Sequence, residues 1–98
     1  MYLLVVELKM ELEWSNSLKE KRRAKLSLIE KLKKNFNLNV SEIGFKDESK
    51  IINLGVSLVN GDMEVLKNID SKLRAFIENN SEGNLFFYKS AFIDWSWE

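Results

Sequence analysis

Residues 2–14, YLLVVELKMELEW, alternate with a period of two. Tyr2, Leu4, Val6, Leu8, Met10, Leu12 and Trp14 share one face, whereas Leu3, Val5, Glu7, Lys9, Glu11 and Glu13 share the other. This pattern predicts a long strand with one buried and one mostly wet face. Each large apolar side chain on the buried face contributes roughly 1.5–3 kcal/mol. A one-residue slip would turn the whole set to solvent, so the register is firmly held. The rest of the chain has to supply a cover for that face.

Two further segments have the period to do so. Ser17 followed by Glu20 is an S-x-x-E capping box, which predicts a helix beginning at Leu18 and ending near KKNFN. Leu18, Leu28, Ile29, Leu32 and Phe36 fall in one stripe at ~100° per residue. Asn60, Gly61 and Asp62 open a second helix, whose stripe is Val65, Leu66, Ile69, Leu73, Phe76 and Ile77. Between the helices, LNVSEIGF predicts a second strand with a bulge near Ser41–Glu42. After the turn KDES, KIINLGVSLVN predicts a third strand with Ile52, Leu54, Val56 and Leu58 inward. NNSEGN breaks the second helix, and LFFYKSAFIDWSW predicts a fourth strand. The order strand, helix, strand, strand, helix, strand specifies an α+β fold. With right-handed crossovers it is a ferredoxin-like split βαβ sandwich: a four-stranded antiparallel sheet with both helices on one face, one domain over 1–98.

Composition removes several chemistries. Cysteine and histidine are absent, which excludes thiol nucleophiles, Cys-based zinc sites, Ser-His-Asp triads and imidazole acid–base catalysis. The apolar run YLLVV is too short for a signal-peptide core or a membrane span, so a cytoplasmic protein without membrane contact is expected. Glu7, Glu11 and Glu13 form a carboxylate row best explained as a solvated strand face, and neither metal nor cofactor is expected.

The net charge of zero is unevenly distributed. From Ser17 to Phe36 the first helix carries Lys19, Lys21, Arg22, Arg23, Lys25, Lys31, Lys33 and Lys34 against Glu20 and Glu30. That segment is therefore +6 and the remainder −6. Cations in a first turn oppose the helix dipole, at ~0.3–1 kcal/mol each. Lys21–Lys25 and Lys19–Arg23 also repel as like-charged i, i+4 pairs. The second helix, with Asp62 and Glu64 first and Lys72 and Arg74 later, obeys the rule that the first breaks. Lys21, Arg22 and Lys25 lie on the sheet side of the stripe, and Lys19, Arg23 and Lys34 on the outer side. Two readings follow. Lys19, Lys21, Arg22, Arg23 and Lys25 bind phosphate groups, most plausibly of RNA, or they pair with carboxylates of their own chain such as Glu11, Glu13 or Asp94.

SLKEKRR, residues 17–23, is also the most specific point of a resemblance that runs along nearly the whole chain. With Ser27-Leu28-Ile29-Glu30, Phe36-Asn37, Val40-Ser41-Glu42-Ile43 and Leu54-Gly55-Val56, the chain resembles the YlxP-like family of small bacterial proteins of unassigned function. The resemblance implies a ferredoxin-like fold. It also implies a ribosome- or RNA-associated role, because members are commonly encoded beside genes for translation initiation and ribosome assembly. One departure stands out: the family often carries an Asp-His-Gln-Asp-like run followed by tryptophan. Here Gly44-Phe45-Lys46-Asp47-Glu48-Ser49 replaces it, with only Asp47 in common.

Other functions of this fold leave different signatures. The third strand carries no aromatic residue, so base stacking on the open sheet is not expected. C-x-x-C is absent, and WSNS lacks the arginine that acylphosphatases place in the first strand-to-helix loop. An enzyme is not expected. The last strand is apolar on both faces: Leu85, Phe87, Ile93, Trp95 and Trp97 alternate with Phe86, Tyr88 and Phe92. The alternation predicts that the first set enters the core. Phe86, Tyr88 and Phe92 then join Val5 and Ile51 on the open face, near Leu3 and Val59, as an interface. The alternative function is thus a protein-interaction module or homodimer working through that face or the exposed strand edge.

Overall fold

The computed structural model describes residues 1–96. Its elements run β1 (Tyr2–Glu11), α1 (Leu18–Asn35), β2 (Asn39–Gly44), β3 (Ile51–Asn60), α2 (Met63–Asn80) and β4 (Asn84–Asp94). They form one antiparallel sheet in the order β2-β3-β1-β4, the ferredoxin-like arrangement that the element order predicts. β1 is central because its alternation is longest and its inward face most apolar. Leu4, Val6, Leu8 and Met10 are buried with Ile52, Leu54, Val56 and Leu58 of β3. Leu28 and Leu32 of α1 and Leu66, Leu73 and Ile77 of α2 close over them in one cluster. The two helices meet through Phe36 and Phe76, packed edge to face at 5.5 Å. Among the described residues no helix covers the opposite sheet face.

β1 stops at Glu11, short of the predicted Trp14, because its partners end there: Ile51 and Asn84 are the last residues paired with it. Leu12 is buried all the same, its amide donating to the Lys50 carbonyl at 2.7 Å. Trp14 leaves the core and donates its indole N–H to the Glu82 carbonyl at 2.7 Å. Close approach of the β1 end to the α2–β4 loop also requires Gly83, where a Cβ would lie 2.6 Å from the Glu11 carbonyl oxygen.

Two bulges adjust the faces. On β2, Ile43 is the extra residue between Glu42, opposite Leu54, and Gly44, opposite Asn53. On β4, Met10 faces Leu85 and Lys9 faces Phe87, leaving Phe86 extra. That insertion corrects the strict alternation predicted for β4. Leu85, Tyr88 and Phe92 pack toward the helices, while Phe87 and Ile93 lie on the open face. Tyr88 and Phe92 are therefore packed against the core and do not lie on the open face expected for them. Phe86 is exposed in the bulge, and Val5 and Ile51 do occupy the open face. The placement expected for Trp97 falls outside the described residues.

Candidate functional site

The chain between β1 and α1 is tied down before the helix begins. Lys50 Nζ donates to the carbonyls of Glu13 and Ser15, each at 2.8 Å, and Ser15 is fully buried. Ser17 is the N-cap, its hydroxyl accepting from the Glu20 amide at 3.2 Å. Glu20 reaches back to the Asn16 amide at 3.3 Å, closing the capping box one residue earlier than the usual form. The start of α1, and the direction of each cation on it, is thereby determined.

The five candidate cations separate into two groups. Lys21 is only 2% exposed. Its ammonium donates to the Phe45 carbonyl and lies 3.5 Å from Glu42 Oε2. Lys25, one turn on, donates to Glu42 Oε1 at 3.2 Å. Burial pushes the Glu42 carboxyl up, but the hydrogen bond and charge of Lys25, joined by Lys21, outweigh it and hold the group below the ordinary carboxylate value. Lys19, Arg22 and Arg23 are exposed and make no ion pair among the described residues. Arg22 is thus solvent-exposed, although it lies on the same side of α1 as Lys21 and Lys25. Leu18, assigned to the apolar stripe, is exposed beside it.

The partner of the inward lysines is Glu42, not Glu11, Glu13 or Asp94. A signal for it exists in the sequence. Val40 is inward on β2, and Glu42, two residues later, shares its phase, opposite an i, i+4 lysine pair on the covering helix. Around this cluster lies a cleft of about 90 Å³ lined by Leu18, Lys21, Arg22, Lys25, Glu42 and Lys46. Four cations and one carboxylate thus line the cleft, and Lys21 and Lys25 alone pair with that carboxylate.

The open sheet face lies on the far side of the same β2–β3 loop. Lys9 Nζ sits 4.7 Å from the centre of the Phe87 ring and 5.6 Å from that of Phe45. The aromatic residues missing from β3 therefore reach this face from β4 and from a loop. Farther along, Val59, Leu3 and Ile93 form one cross-strand row. Asn53, buried on this face, donates to Glu7 Oε2 and to the Leu8 carbonyl, both at 3.1 Å.

A second polar cluster joins α2 to β4. Asp70 accepts from the Tyr88 hydroxyl at 2.7 Å and from the Ser90 hydroxyl at 3.0 Å. Burial, with Asp70 beside it, pushes the Tyr88 phenol well above its ordinary value, so it remains a donor. Among the described residues no group of three or more acidic, histidine or cysteine side chains could hold a metal ion, and no helix is long and apolar enough to cross a membrane.

The architecture defines a small α+β protein of ferredoxin-like topology with a basic cleft at the first helix and an uncovered sheet face. Residues 3–89 match the family described as "Protein of unknown function (DUF503)", and the chain belongs to that family. No curated protein matches it.

Proposed function

We propose that the chain is a YlxP-like, cytoplasmic, non-enzymatic binding protein that takes up phosphate groups of RNA, in association with the ribosome, through the first turns of α1. The carrying observation is the contrast between the helices. α2 pairs two of its three cations internally, Lys67 with Glu64 at 3.5 Å and Arg74 with Glu78 at 3.3 Å, leaving Lys72. α1 leaves Lys19, Arg22 and Arg23 without a carboxylate among the described residues. Lys21 and Lys25 serve differently: held by Glu42, they form the floor against which Arg22 and Lys46 stand. A binding role, not a catalytic one, accords with Glu42 and Tyr88 both being locked by partners.

Changing Lys19, Arg22 and Arg23 together to Gln is expected to weaken RNA binding. It should also reduce the dependence of log K on log salt by about 0.7 for each lost contact to a single strand. RNA affinity equal to that of the unaltered chain would overturn the proposal. The row of Val59, Leu3 and Ile93 favours a second reading, self-association through the open face.

A further inference from the structure

Phe45 joins the two surfaces. Its carbonyl accepts from buried Lys21 on the cleft side, and its ring carries Lys9 on the open-sheet side. The next residue, Lys46, lines the cleft with Arg22. Phe45 is placed at a local cost. Its φ of 54° is the only positive value at a non-glycine residue among the described residues, and the residue is 47% exposed. A bulky side chain in the left-handed region is uncommon, and such strain clusters at functional positions. Packing does not explain it, since the ring does not enter the core.

We propose that the protein binds single-stranded nucleic acid, with an unstacked base lodged against Phe87 and Phe45 while flanking phosphates occupy the α1 cleft. The proposal rests on the reading that α1 binds phosphates and adds the class of strand. A base has a π-face that stacks on phenylalanine whatever its identity. Lys9 now covers the rings with a cation, and an incoming strand offers that cation a phosphate in exchange. Charge complementarity selects nucleic acid over a purely apolar partner: Arg22 and Lys46 line the cleft on one side of Phe45 and Lys9 lies over its ring on the other, with Asp47 and Glu48 following in the loop. A duplex buries its base faces and cannot use the rings. Glu7 and Glu11 flank Lys9 on the same face of β1, and Asn53 engages the Glu7 carboxylate.

The test uses the full chain and one RNA sequence, as single strand and as duplex, with 2-aminopurine replacing one base. The single strand should bind more tightly and its fluorescence should be quenched. Phe87→Leu keeps apolar bulk but removes the π-face. Phe45→Gly removes the ring and suits the positive φ, so its Tm should be unchanged or higher. Each should weaken single-strand binding about five-fold or more and abolish the quenching, leaving duplex binding unaltered. If both variants bind the single strand as the unaltered chain does while the Lys19, Arg22 and Arg23 variant loses binding, stacking is wrong and the phosphate reading stands. If the unaltered chain binds neither polymer, both fall. Variants that alter only the oligomeric state, as judged by sedimentation, also overturn it.

Discussion

Lys21 shows at one residue how a charge is tolerated inside this fold. Removing an ammonium from water costs several kcal/mol unless it is paired and hydrogen-bonded. Glu42 and the Phe45 carbonyl supply both interactions. Glu42→Gln leaves that ammonium without its counter-charge and is expected to cost about 2–4 kcal/mol in chemical denaturation. The pH dependence has a definite sign. The folded carboxyl titrates below its ordinary value of 4.5, so its contribution is present above that pH and is lost as pH falls through the lower folded value. The Gln variant should lack this acid-limb loss. It should also bind RNA more tightly, because the cleft gains one net positive charge. Lower stability with higher affinity is a combination that general misfolding would not produce.

At the level of elements, the bulges decide which faces the strands present. Without Phe86 as an extra residue, Leu85 and Tyr88 could not both face the core, since they differ by an odd number of positions. Deleting Phe86 should therefore preserve the register on either side, whereas deleting Tyr88 shifts the phase of the strand and removes the hydroxyl on Asp70. Thermal unfolding should find the Tyr88 deletion markedly less stable than the Phe86 deletion. The reverse order would show that Phe86 contributes through its ring and not through the bulge. α1 follows the same logic at its start: the Ser17 cap and the Lys50 tether direct the first turn, so the cations are displayed in one orientation.

Over the whole molecule, charge is unevenly distributed. The segment containing α1 carries +6 and the rest −6, and among the described residues no helix covers the sheet face opposite α1 and α2. The two modes of binding respond oppositely to salt: phosphate contacts weaken as it rises, whereas apolar association persists or strengthens in excluded salts such as sulfate. Sedimentation at tens of micromolar, roughly the range of weak interfaces, decides the second reading. A concentration-dependent dimer that survives high salt is its expected outcome; a monomer removes it.

Alternation along the strands, the capping box at Ser17 and the stripe of α2 determined the element order and the centre of the core, because periodicity and caps are local properties of the chain. The charge imbalance of α1 was equally legible. Which of its cations remained available was not: Glu42 lies on a different element, and its meeting with Lys21 and Lys25 depends on how the helix settles over β2. The faces of β4 and the approach of Phe45 and Phe87 to Lys9 were likewise decided by tertiary structure. A bulge is defined only by the partner strand it opposes, and the aromatic pair is assembled from a loop and an edge strand that only the sheet brings together.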